Sequence, residues 1–163
     1  LFVRCFQWIT LCTVMRLHSD RDPRQPQYGT TGGAHCCSGA ANEVWSYGED
    51  VYKICVKYMN IREKMRGYTR KLMEEAHIKG TPIMRTLFYE FPEDKECWEI
   101  EDEYMYGDKY LIAPILEAGV NERRIYLPVG VQWKECNCGC IYYGGQYITL
   151  TVSLDSMPVF ERI

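Results

Sequence analysis

Cys136, Cys138 and Cys140 stand one residue apart, and Cys36 and Cys37 follow directly on His35, so the chain holds two clusters of soft donors. Thiolates and imidazoles are what a structural zinc ion takes. Such sites, however, use cysteine pairs about two to four residues apart that close a tetrahedron. A one-residue spacing fits a turn between strands better, and neither a metal nor another cofactor is expected. Gly29-Thr30-Thr31-Gly32-Gly33 has the glycines of a phosphate loop. It lacks the Lys-Ser/Thr that grips phosphate and the helical pattern that follows. The acidic run from Glu93 to Glu103 reads as a solvated face. Trp98 within it offers a flat surface for stacking a ligand or an anchor at a domain interface.

Elements must position these groups. Phe2, Cys5, Phe6, Ile9 and Cys12 recur at helical spacing and predict an amphipathic helix over residues 1 to about 15. Ser19 to Gly39 has turn residues and no hydrophobic period, so a long loop is expected there. Ser46-Tyr47-Gly48-Glu49 has the spacing of a capping box, in which hydroxyl and carboxylate satisfy each other's backbone amides. Val51, Ile54, Cys55, Tyr58, Ile61, Met65, Tyr68, Leu72 and Ala76 then form one helical stripe. Gly80 and Pro82 supply its stop, and Gly67 is a candidate break. From Pro82 the pattern changes to strands: Ile83–Phe91, Lys109–Leu116, Arg124–Leu127, Val131–Glu135, Ile148–Leu154 and Val159–Arg162. Gly144-Gly145 between Tyr142-Tyr143 and Gln146-Tyr147 reads as a two-residue hairpin turn. Helices first and strands afterwards predict an α/β piece joined to a β-sandwich piece.

Composition narrows the function classes. The chain has 163 residues, 47% of them hydrophobic and 25% charged, which excludes disordered and low-complexity classes. A net charge of −3 leaves no electrostatic footprint for nucleic acid. Leu1 to Met15 is too short for a membrane helix and lacks the features of a signal peptide. The chain is read as beginning inside a helix of something larger, with neither a nucleic acid nor a membrane as partner. Nine cysteines form an odd set below disulfide-scaffold density. Cys5, Cys12 and Cys55 fall on apolar positions where a buried thiol acts as a small hydrophobe. A reducing, cytoplasmic setting is expected.

Several short blocks in a fixed order resemble glycoside hydrolase family 31. Val3-Arg4-Cys5-Phe6-Gln7 and Met15-Arg16-Leu17-His18 are similar to the family's Arg-Trp-x-Gln…Arg-x-His segment. Glu43–Glu49, Arg62–Tyr68, Gly80–Arg85 and Phe91–Asp94 continue that order. Asp102–Asp108 followed by Leu111-Ile112-Ala113-Pro114-Ile115 is the most distinctive block. Tyr126–Gly130, Tyr143–Gln146 and Pro158–Phe160 complete it. Three places depart from the pattern. Cys5 stands where the family has Trp, Ile9–Thr13 replaces Gly-Ala-Phe-x-Pro, and Gly67 replaces a Pro.

The resemblance implies a retaining α-glycosidase of the α-glucosidase or α-xylosidase type, built on a (β/α)8 TIM barrel followed by β-sandwich domains. Residues 1–91 would be the C-terminal portion of the barrel, with a long loop at 19–42 over the active-site mouth. Residues 92–163 would be the junction and an antiparallel β-sandwich domain. Retention needs two carboxylates about 5–5.5 Å apart, one as nucleophile and one as acid/base. The family carries both as Asp upstream of the Arg-Trp-x-Gln segment, so no catalytic residue is expected here and the chain alone is expected to be inactive. Asp20 and Asp22 match no catalytic position. His18 matches a His that hydrogen-bonds the sugar in the −1 subsite, and a neutral imidazole offers the donor and acceptor that suit a vicinal diol. Arg16 is expected to be a structural ion-pair partner near the mouth. The partners implied are an oligosaccharide or other α-glycoside substrate and the preceding part of the barrel. The alternative reading is a stand-alone carbohydrate-binding or structural β-sandwich, which would close its core unaided.

Overall fold

The computed structural model describes residues 1–17 and 41–163. Element order is α1 (Phe2–Thr10), a 3-10 turn (Val44–Tyr47), α2 (Glu49–Lys79), β1 (Met84–Arg85), α3 (Leu87–Glu90), a second 3-10 turn (Lys95–Trp98) and six further segments of strand before the last. These are β2 (Tyr104–Tyr106), β3 (Tyr110–Ile112), β4 (Glu122–Leu127), β5 (Gln132–Glu135), β6 (Ile141–Tyr143) and β7 (Gln146–Thr151), with β8 (Val159–Arg162) closing the chain. All pairings are antiparallel. One six-stranded sheet has the order β1-β2-β3-β8-β5-β6, and β4 and β7 form a separate two-stranded ribbon.

Side-chain alternation along the strands builds two cores on the two faces of the sheet. Met105, Leu111 and Phe160 are adjacent in register and join Ile125, Leu127 and Trp133 under the ribbon. Tyr106 and Ile112 point the other way and join Phe6, Cys55, Tyr58 and Leu72 of the helices. The sheet is the middle of three layers, with the ribbon on one face and the helices on the other. Among the described residues no helix is long and apolar enough to cross a membrane.

Helix α2 runs unbroken through Gly67 and stops at Gly80, whose backbone is left-handed (φ +71°) and whose amide caps the Ala76 carbonyl. The capping box does not form. Ser46 lies in the 3-10 turn and donates its hydroxyl to the Ala41 and Glu43 carbonyls, leaving Gly48 as the N-cap residue. Helix α1 ends at Thr10 rather than near 15, and its buried face is Val3, Arg4, Phe6, Gln7 and Thr10. Cys5 is therefore exposed and Cys12 half-buried, while Cys55 is buried as expected. The polar members of that face are satisfied: Arg4 donates to the Ser156 carbonyl at 2.7 Å and Gln7 to the Leu154 carbonyl at 2.7 Å.

Two strand expectations are corrected. Residues 83–91 hold only the short β1 before α3, because Arg85 turns back to the Pro82 carbonyl and pairs with Glu90 at 2.5 Å. Strand β2, absent from the expected set, fills the interval before β3. The expected Gly144-Gly145 hairpin is a crossover between sheets. Strand β6 pairs with β5, whereas β7 leaves to pair with β4. A Cβ on Gly144 would collide with the Pro128 carbonyl, and the Gly144 and Gly145 amides bind the Val131 and Leu127 carbonyls. Glycine is there for close backbone approach.

Candidate functional site

Helix α1 points its C-terminal end toward the segment carrying Arg16, and that end is tightly held. Arg62 of α2 donates to the carbonyls of Thr10 (3.0 Å), Cys12 (2.5 Å) and Thr13 (2.9 Å). Tyr104 of β2 donates to the Leu11 carbonyl at 2.9 Å. Burial, reinforced by the neighbouring Cys12 thiol, pushes the Tyr104 phenol well above its usual range, so it stays a donor. The last carbonyl of the helix and the three that follow it are thus satisfied by two side chains from different layers. A cation at a helix C-terminus is also favoured by the helix dipole.

Arg16 itself is exposed and makes no ion pair among the described residues. His18, Asp20, Asp22, His35, Cys36 and Cys37 lie outside the described residues. Sequence reasoning missed the two braces, Arg62 and Tyr104. Arg62 carried a signal, since it sits beside Ile61 on the margin of the apolar stripe, where a solvated cation would more commonly be placed further round.

The buried carboxyl groups among the described residues are Asp94, Glu103 and Glu135. Asp94 accepts from the Tyr126 hydroxyl (2.8 Å) and from the Val129 and Glu96 amides (3.0 and 3.2 Å). Glu135 accepts from the Asn137 and Cys138 amides at 2.9 and 2.6 Å. Glu103 accepts from the Tyr126 amide at 2.8 Å, and its second oxygen has no partner. Burial pushes the Glu103 carboxyl up to about 8, with the Tyr126 amide and Arg123 pulling the other way. These groups brace backbone in the β domain rather than converging on a reaction centre. Asp94 and Glu103 also correct the expectation that the whole acidic run is solvated. Trp98 is exposed, stacks on Phe88 with ring centroids 4.9 Å apart, and donates to the Pro92 carbonyl at 3.1 Å. No cluster of three or more His, Cys, Asp or Glu among the described residues could hold a metal ion.

Comparison with known proteins adds what the geometry leaves open. The family model described as Glycosyl hydrolase family 31 C-terminal domain matches residues 80–163. Alpha-glucosidase 2 of Bacillus thermoamyloliquefaciens is 35% identical over 129 residues, which is 78% of this chain and 16% of that protein. Alpha-xylosidase of Saccharolobus solfataricus is 28% identical over 162 residues, 99% of this chain and 20% of that protein. Among solved structures, a GH31 alpha-xylosidase from a soil metagenome complexed with xylose superposes with a TM-score of 0.90 at 44% identity. That alignment covers 98% of this chain and 24% of the xylosidase. The chain thus spans a quarter or less of the length of these relatives.

Proposed function

This chain belongs to glycoside hydrolase family 31, and from that premise we propose that it is the C-terminal portion of a retaining α-glycosidase. The enzyme removes terminal non-reducing α-linked glucose or xylose from oligosaccharides. The observation that carries this reading is the near-complete superposition on the xylose-bound α-xylosidase at 44% identity. In the proposed enzyme residues 1–91 close a (β/α)8 barrel and residues 92–163 are the sandwich that braces it. The two reacting carboxylates come from barrel strands ahead of residue 1, one attacking the anomeric carbon and the other protonating the leaving oxygen. Within the described part, the buried carboxylates Asp94, Glu103 and Glu135 each accept from backbone amides, which suits a bracing role.

The contribution of this chain is then to build one wall of the sugar pocket. His18 hydrogen-bonds the sugar in the −1 subsite and Arg16 supports the mouth. The clamp of Arg62 and Tyr104 on residues 10–13 fixes where the chain leaves α1 on its way to them. The protein works without a cofactor, in the cytoplasm, on a neutral glycoside.

Hydrolysis of an aryl α-xyloside and an aryl α-glucoside by the full-length protein tests the reading. The expected outcome is turnover of at least one of them with retained anomeric configuration, and none by residues 1–163 alone. Failure of the full-length protein on both substrates sinks the proposal. Turnover by the isolated chain overturns the placement of the carboxylates.

A further inference from the structure

The β5–β6 connection gathers groups that glycoside hydrolysis does not use. Residues 136–140 join Glu135 at the end of β5 to Ile141 at the start of β6. The buried Glu135 carboxylate organises the turn by accepting from the Asn137 and Cys138 amides and from Asn137 Nδ2 at 2.5 Å. Its backbone closes the same turn. Gly139 donates to the Glu135 carbonyl and Glu135 donates to the Cys140 carbonyl, each at 2.8 Å. Gly139 takes a left-handed backbone (φ +74°), which folds Cys140 back beside Cys138. Their Cα atoms are 5.4 Å apart and their sulfurs are paired, a separation within the disulfide range. Both residues are exposed.

Cys136 is held elsewhere. Its amide donates to the Val159 carbonyl at 2.8 Å, prolonging the β5–β8 pairing, and it remains a free thiol on a residue that is itself exposed. It lines an apolar groove with Tyr58, Met65, Tyr110 and Met157, on the helix side of the turn.

We propose that Cys138 and Cys140 are a reversible dithiol–disulfide pair, a redox modification site on the exposed β5–β6 turn from which Cys136 is excluded. A bond between residues this close in sequence closes too short a loop to constrain the unfolded chain much, so stability is not what it supplies. Exposure gives small thiols and disulfides access to both sulfurs. The Cys136 thiol is pushed up to about 11 by burial, reinforced by the Glu135 and Glu161 carboxylates, which leaves it a poor nucleophile beside the pair.

The oxidant is a small-molecule disulfide such as oxidised glutathione. One cysteine thiolate attacks a glutathione sulfur and releases the first glutathione thiol. The other cysteine thiolate then attacks the mixed disulfide, forms the Cys138–Cys140 bond and releases the second. The electron pair passes from protein to oxidant, and the protons lost by the protein thiols end on the released glutathione. Reduction is the reverse.

The test equilibrates the full-length protein in glutathione buffers stepped from reducing to oxidising, followed by acid quench, alkylation and tryptic peptide mass spectrometry. The peptide beginning at Glu135 is expected to lose one pair of thiol hydrogens as the buffer becomes oxidising. Cys136 stays alkylated throughout, and the change reverses in reducing buffer. Cys136→Ser leaves the titration where it was. Cys138→Ser or Cys140→Ser replaces the internal bond with a glutathione adduct on the remaining thiol of the pair. A bond that includes Cys136 overturns the proposal. So does a pair that stays fully alkylated at the oxidising end or never opens at the reducing end.

Discussion

A methyl group at position 144 would sit against the Pro128 carbonyl oxygen far inside van der Waals contact, whereas one at position 67 would meet nothing within 4 Å. Gly144→Ala is therefore expected to lower stability by about 2–4 kcal/mol, because backbone cannot step aside as a side-chain tip can. Gly67→Ala should raise stability by about 0.5–1 kcal/mol through helix propensity alone. Denaturant midpoints of the two variants in the full-length protein check both signs. Glu103 supplies a pH dependence. Its folded carboxyl titrates near 8, against an ordinary value of 4.5, so between those limits the folded state holds a proton that the unfolded state has released. The contribution is present at low pH and is lost as pH rises from about 4.5 through 8, the reverse of a salt-bridged acid. Glu103→Gln keeps an acceptor for the Tyr126 amide and should flatten that slope in melting temperature against pH. A wild-type profile already flat across the window would rule the assignment out. The sequence could not distinguish these positions. Gly67 and Gly144 both look permissive in isolation, and Pro128, which makes one of them obligatory, is set beside Gly144 only by the tertiary fold.

Where helix α1 ends at Thr10, α2 and β2 take over the carbonyls of residues 10–13, so the exit of the chain from the helix is fixed by its neighbours. Arg62→Ala removes three charge-assisted bonds to the Thr10, Cys12 and Thr13 carbonyls and should cost about 2–4 kcal/mol. Amide exchange should report fraying at residues 10–13 first, and Arg62→Lys should recover part of the protection. Unchanged exchange in the Ala variant would mean the helix end is held by packing alone. The elements legible in the sequence were those whose signals are local. Helix α2 announces itself by a long apolar period and by Gly80 followed by Pro82. Strand β2 was invisible because Tyr104, Met105 and Tyr106 face apolar layers on both sides and leave no alternation to detect. The Gly144-Gly145 turn misled for a related reason. A hairpin and a sheet crossover use similar turn chemistry, and only the pairing of β7 with distant β4 separates them. At the candidate site, the blocks around Arg16 and His18 were recognisable by family pattern, while Arg62 and Tyr104, which hold residues 10–13 just before them, lie some 45 residues or more further on.

At the scale of the molecule, the helical layer still presents apolar surface. Trp8, Trp45, Tyr52, Met59, Met73 and Ile78 are exposed on or beside α1 and α2. Residues 1–163 expressed alone are expected to bind a hydrophobic dye and to self-associate, and the full-length protein to do neither. Equal dye response from the two would leave the helices without the barrel partner proposed for them. The middle sheet has a further consequence for how the protein comes apart. Met105, Leu111 and Phe160 serve one core while Tyr106 and Ile112, on the same strands, serve the other. Neither layer can melt and leave a soluble remnant, because stripping one bares an apolar face of the strands it shared. Exchange of the Trp133 amide, which reads the ribbon side, and of the Cys55 amide, which reads the helix side, should therefore collapse in the same denaturant step. Any truncation that separates α2 from β2 would discard half of what each strand is folded upon, and a protease nick between them should be felt in both cores at once.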